Sequence, residues 1–120
     1  MSATIDVADA IGTLTHSTFK RAVDENIGPV AVEFMSYGCG HCAELEPVLQ
    51  EAAELLKSEV ACYRVNVAVE HGLAAEYRIT GTPTIVMFAQ GAEAGRVEGS
   101  APQLAALVAA IRGPFESQHD

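Results

Sequence analysis

The chain has no tryptophan, and only 7 of its 120 residues are lysine or arginine, against 16 aspartates and glutamates. A formal net charge of −9 without a basic stripe is a poor match for a phosphate backbone, which is held by clustered Lys and Arg. An anionic membrane surface would repel the same charge. No nucleic-acid or membrane partner is therefore expected, and an acidic, self-repelling surface is the plain reading of the charge. Long apolar runs are missing too: none reaches the roughly 18 residues that a spanning helix needs. The opening MSATIDVADAIG lacks the basic and apolar regions of a secretory signal. A cytoplasmic address is expected from these features. Cysteines number 3, an odd count that does not read as a disulfide framework. Internal repeats and low-complexity tracts do not occur.

What is present fits one folded domain. Hydrophobic residues make up 49% of the chain and charged residues 19%, and this length builds one core. A single domain over residues 1–120 is expected, acting as a monomer, with its core at about 14–111 and a frayed tail at 113–120. Residues 15–26 read as a helix, with Thr15 as N-cap and Phe19, Ala22 and Val23 as its apolar stripe. Gly28-Pro29 stops it. VAVEFM (residues 30–35) is apolar except for Glu33, which suits a strand buried on both faces. After the loop Ser36-Tyr37-Gly38, residues 39–57 keep helical spacing through Leu45, Val48, Leu49, Ala52, Leu55 and Leu56. Pro47 inside that helix removes one backbone hydrogen bond and is expected to bend it.

Residues 60–67 read as a strand, 69–77 as a short helix and TIVMFA (84–89) as a strand. Gln90-Gly91 opens a turn, and residues 95–98 pair back as a hairpin. Ser100 with Gln103 makes a capping box for a last helix in which Pro102 is tolerated. Leu104, Leu107, Val108 and Ile111 give that helix its buried face, and Gly113-Pro114 ends it. With a first strand somewhere in 3–14, the order is β, α, β, α, β, α, β, β, α. The early alternation implies parallel strands, and the late hairpin makes the sheet mixed.

Two of the cysteines sit in Cys39-Gly40-His41-Cys42, where a strand gives way to a helix. Cys39 falls at the helix N-terminus, whose unpaired N–H groups and dipole favour an anion and lower the thiol pKa. Cys42 lies about one turn deeper, within reach of the first sulfur. Cys39 is expected to be the attacking thiolate and Cys42 the buried resolving thiol. His41 between them would stabilise the thiolate further and make the disulfide a better oxidant. Ordinary core cysteines do not suit a site flanked by glycines and a histidine. A metal site needs four ligands, and Cys62 and His71 are the only nearby additions. Cys62 reads as an inert mid-strand thiol and His71 as a surface residue, so no metal is expected.

The run VAVEFMSYGCGHC resembles the active-site strand and loop of protein disulfide isomerase domains, and the chain as a whole resembles the thioredoxin family. Pro47, five residues after Cys42, matches the family's helix-kinking proline. Gly81-Thr82-Pro83-Thr84 resembles the loop that carries its cis-proline, and Gly91 and Gly99 resemble its late turn and groove glycines. The likeness spans about residues 14–111.

The resemblance implies the thioredoxin fold: α/β, a central mixed sheet flanked by helices on both faces. It implies a thiol–disulfide oxidoreductase that needs no organic cofactor or metal. Its partners would be protein disulfide and dithiol substrates and an external reductase or oxidant that recycles it. Gly38, Thr82, Pro83 and Gly99 would form the substrate surface, with the Thr82 backbone pairing with a substrate strand. Gly40 and His41 would tune the cysteines. Glu33, alone in an apolar strand, would have its pKa raised by burial and serve as a proton carrier for Cys42. Arg64 resembles a neighbouring lysine of the family; pairing with Glu33 and simple exposure are both open to it.

Two departures stand out. Gly38 replaces the family's usual Trp, with Tyr37 as a partial substitute, and Asn66 stands where an Asp is common. His41 favours oxidation or isomerisation and the cytoplasmic address favours reduction, so the direction stays open. A thioredoxin-fold adaptor with incidental redox chemistry is the alternative.

Overall fold

Apolar residues at alternate strand positions and at helical spacing sort this chain into a central sheet with a core on each side. The structure is a computed structural model that describes residues 10–99 and 103–116. Five strands, β1 (Gly12–Leu14), β2 (Val30–Met35), β3 (Ala61–Asn66), β4 (Thr84–Ala89) and β5 (Ala92–Glu98), lie in the order β1-β3-β2-β4-β5. β1 and β2 both run parallel to β3, while β4 runs antiparallel to β2 and to β5. This is the mixed sheet expected from the alternation of elements.

Along β2, Val30, Val32 and Phe34 face one core together with Val86 and Phe88 of β4. Ala31 faces the other, with Ile85 and Met87. The first core is covered by α1 (His16–Phe19), the wide turn that continues it, and α3 (His71–Glu76), through Phe19, Val23 and Leu73. The second is covered by α2 (Gly40–Leu56) and α4 (Leu104–Glu116), through Leu45, Leu49, Ala52, Leu107 and Ile111. Helices thus lie on both faces, as expected. All six residues of β2 are buried, which accounts for a strand that reads as an unbroken apolar run around Glu33.

Three elements differ from the sequence reading. The first helix starts after Thr15, whose N–H donates to the Thr18 hydroxyl at 2.9 Å. Beyond Phe19, however, it widens into a π-helical turn, Lys20–Asp24, before ending. Local sequence carries no sign of such a widening.

The last strand begins at Ala92, not residue 95. Gln90 (φ 54°) and Gly91 (φ 82°) form a tight two-residue turn between the paired Ala89 and Ala92. Positive φ at both central residues is what a hairpin turn of this kind demands. A bulge opposite Met87 and Phe88 then takes up one residue. AEAG has little strand propensity, so this extension is held by pairing with β4.

The last helix is not ended by Gly113-Pro114. It runs to Glu116 with Pro114 inside, because Phe115 is buried in the α2/α4 core and anchors one more turn. The Pro114 ring packs where a Cβ on Gly95 would stand, 2.8 Å from Cγ. The expected frayed tail therefore does not begin at 113, and residues 117–120 lie outside the described residues. The Ser100 cap and Pro102 also lie outside them.

Candidate active site

β2 ends at Met35 and α2 begins at Gly40, so the chain must reverse within four residues. The Cys39 N–H donates to the Ser36 carbonyl at 3.1 Å and closes that turn. Cys39 is the N-cap of α2, in extended backbone, and its Sγ accepts the Cys42 N–H at 3.1 Å. The sulfur thus fills the place an Asp or Ser oxygen takes at other helix starts, and an anion there meets unpaired amides and the positive end of the dipole. The Cys39 thiol is held below its ordinary pKa, first by a side-chain hydrogen bond with Cys42. A side-chain hydrogen bond with Thr82 and the backbone N–H groups of Cys42 and His41 add to this. Cys42 is buried, and burial pushes its pKa up to about 11, with the neighbouring Cys39 adding to the rise. Both are free thiols. One sulfur is therefore partly open and easily ionised, and its neighbour is covered and resists ionisation.

Facing the cysteines is the loop before β4, in which the Thr82–Pro83 peptide is cis. The Cys39 thiol donates to the Thr82 carbonyl at 3.5 Å. The Thr84 hydroxyl donates to the Gly81 carbonyl at 2.7 Å, and the Gly99 N–H to the Pro83 carbonyl at 2.9 Å. These bonds tie the loop to the end of β5, where Gly99 takes a φ of 81°. Residues 80–84 with Glu98 and Gly99 enclose a hollow of 160 Å³. Thr82, Pro83 and Gly99 are therefore brought together beside Cys39. Gly38 lies in the turn just before it, and Tyr37 is 72% exposed.

On β2, Glu33 is 2% exposed, and neither carboxyl oxygen has a hydrogen-bond partner among the described residues. Its pKa is pushed up to about 7. Desolvation is the largest cause, Glu46 adds to it, and Arg64 opposes both. Burial thus outweighs the cation. The pairing of Arg64 with Glu33 is corrected by the structure. The two residues are direct neighbours in the β2–β3 register, but the Arg64 guanidinium turns to Glu46 of α2, at 2.7 Å, and to the Ile11 carbonyl, at 3.4 Å. A half-exposed carboxylate costs less to ionise than a sealed one, so it is the better partner for the cation.

The His41 imidazole stands in solvent, 3.4 Å from Glu44, and this residue reaches the sulfur through its backbone N–H. Gly40 opens α2. Cys62 packs beside the α2/α4 core, and burial pushes its thiol up to about 11. His71 is exposed and meets the Ala68 carbonyl at 2.8 Å. Among the described residues no group of three or more His, Cys, Asp or Glu could hold a metal ion. No described helix is long and apolar enough to cross a membrane.

The sequence reading missed Glu46. The available signal was its position four residues after Cys42, on a helical row that continues to the buried Leu49 and Ala53. Glu46, Gln50 and Arg64 line a cavity of 380 Å³ that reaches Cys42 and Met35.

Known proteins resemble this chain in sequence and in fold. The family profile described as Thioredoxin matches residues 10–112. A thioredoxin of Pyropia yezoensis is 33% identical over 94 residues, covering 78% of this chain and 88% of that protein. Thioredoxin 1 of Synechococcus elongatus is 33% identical over 90 residues, covering 75% of this chain and 84% of the relative. Among solved structures, a thioredoxin of Malassezia sympodialis superposes with a TM-score of 0.78 at 27% identity, covering 88% of this chain and 90% of that one.

Proposed function

We propose, from the premise that this chain belongs to the thioredoxin family and has thiol–disulfide oxidoreductase activity, that it reduces disulfides in protein substrates through Cys39 and Cys42. The supporting observation is Cys39 Sγ at the head of α2, 3.1 Å from the Cys42 N–H and 3.5 Å from the Thr82 carbonyl.

In this reading the Cys39 thiolate attacks one sulfur of a substrate disulfide, and the other sulfur leaves as a thiolate that takes up a proton. Cys42 then gives its proton to Glu33 and attacks Cys39 Sγ. The mixed disulfide breaks, the second substrate thiol departs, and the Cys39–Cys42 disulfide remains. Two electrons have passed to the substrate, and an external dithiol reductase restores the pair. A Glu33 pKa of about 7 lets the carboxyl both take and return a proton near neutral pH. Substrate chains would lie over Tyr37, Gly38 and the Thr82–Pro83 loop, pairing with the Thr82 backbone beside Gly99.

The reducing direction is favoured because the His41 ring is engaged by Glu44 in solvent, away from the thiolate it would have to stabilise to make a strong oxidant. We place the protein in the cytoplasm as a single-domain monomer, although an M-type thioredoxin of Chlamydomonas reinhardtii, 34% identical over 92 residues, is chloroplastic.

Insulin reduction by wild type and Cys39→Ser, with equilibration of the wild-type pair against glutathione, tests the reading. Loss of turnover in Cys39→Ser and a potential nearer the thioredoxin value, about −270 mV, than the isomerase value, about −180 mV, are the expected results. Full turnover without the Cys39 sulfur would refute it.

A further inference from the structure

Glu46 lies four residues past Cys42 on α2, with its side chain 37% exposed, and takes the Arg64 guanidinium at 2.7 Å. Arg64 is itself buried and is the direct register neighbour of Glu33 on the same face of the sheet. Among the described residues, a cation so placed has two carboxylates to choose between: a sealed one on its own sheet and a half-open one on the covering helix. It has turned to the helix.

We propose that Glu46 is a positioning residue for the disulfide exchange, holding Arg64 off Glu33 so that the Glu33 carboxyl stays basic enough to take the Cys42 proton. The inference rests on the reading of Glu33 as that proton carrier.

Were Arg64 paired with Glu33, the carboxylate would be stabilised as an anion and become a weak base for a thiol that itself resists ionisation. With the guanidinium satisfied at Glu46, Glu33 keeps the full penalty of burial. Glu46 also acts directly, as a second negative charge on the same side of the sheet. Among the described residues, the groups that face Glu33 are few. α2 supplies Glu46, and β3 supplies Arg64 with Cys62 two places along. On that face β4 offers Ile85 and Met87, and α4 offers Leu107 and Ile111, all uncharged. Among the described residues, the charges that act on Glu33 are therefore one cation, Arg64, and an acid that binds it, Glu46.

Carbon-13 titration of the Glu33 carboxyl in the reduced protein reads the effect directly. In Glu46→Gln, which keeps the side chain's size at a half-exposed position, the titration midpoint is expected to fall by about 1 pH unit or more, the usual effect of a cation closing on a carboxylate. The acid limb of the turnover–pH profile should move down with it. In Glu46→Gln/Arg64→Gln the midpoint is expected to return to the wild-type value or above. An unchanged midpoint in Glu46→Gln would overturn the proposal. So would a double variant that stays as low as the single one, because Arg64 would then not be the agent.

Glu33→Gln separates this inference from the reading beneath it. A turnover–pH profile identical to wild type in Glu33→Gln would remove Glu33 as proton carrier. The midpoint shift in Glu46→Gln would still report whether Glu46 controls Arg64.

Discussion

On the α1/α3 side of the sheet, Phe19, Phe34, Tyr77 and Phe88 meet with ring centroids 5.4–6.0 Å apart, and no charged side chain is among the buried residues described there. On the α2/α4 side, the apolar packing is interrupted by Glu33 and Arg64, both buried, and by a cavity that reaches Cys42. One sheet thus carries two cores of different kinds. The aromatic side gains contact area and ring geometry, and its Tyr77 phenol, pushed up to about 12 chiefly by burial, stays neutral near neutral pH. The other accepts a carboxyl without hydrogen-bond partners, a feature that opposes folding. In the proposed mechanism, stability has been given up there so that a proton can be moved.

The contrast can be broken most forcefully at Phe88. Phe88→Ala is expected to cost about 3–5 kcal/mol by opening a cavity among the rings, measured by denaturant unfolding. The fraction that remains folded should still turn over substrate at the wild-type rate, because the ring lies on the face away from the thiols. A proportional loss of specific activity would show that the two sides are not independent.

Glu33→Gln should act in the opposite sense, lowering activity and raising stability. The folded-state pKa, about 7, lies above the ordinary value of 4.5, so between these limits the native protein holds a proton that the unfolded chain has lost. The contribution of Glu33 to stability is therefore most favourable below pH 4.5, declines as pH rises towards 7, and stays lowered above it. The variant has no such loss, and its advantage at pH 8 is expected to be on the order of 2–3 kcal/mol. Unfolding curves at pH 5 and pH 8 check this, and equal differences at the two values would contradict it.

The smallest effect is expected at Arg112, whose two nitrogens each lie 3.0 Å from Glu59 at the rim of the α2/α4 side. Both side chains are more than a third exposed. Arg112→Ala should therefore change stability by less than about 1 kcal/mol, and less again in high salt. A larger change would mean that charge matters on this side even at its edge.

Much of this architecture was legible from residue order. The alternation of element types predicts the mixed sheet, and TIVMFA and VAVEFM declare two central strands by composition. The Cys39–Cys42 site was legible because its chemistry is local: a sulfur at a helix start meets amides one turn away, whatever the rest of the chain does. The partner of Arg64 was not legible. Glu46 is 18 residues away in sequence, and the choice between it and Glu33 depends on which carboxylate is sealed. The full length of β5 and the last turn of α4 were hidden for a related reason. AEAG is held as a strand by β4, and Pro114 stays helical because Phe115 is buried beside it.

The sequence alone determined the redox pair, the strand-to-helix junction that acidifies one of its sulfurs, and the apolar periodicities that sort the chain into a sheet between helices. These follow from interactions within a few residues of each other. Only the tertiary structure decided where the buried charges go, because desolvation belongs to an enclosed volume and not to any residue by itself. Glu33 becomes a weak acid once two sheet neighbours, α2 and α4 have closed over it, and Arg64 finds Glu46 only after that closure has made the nearer carboxylate the poorer partner.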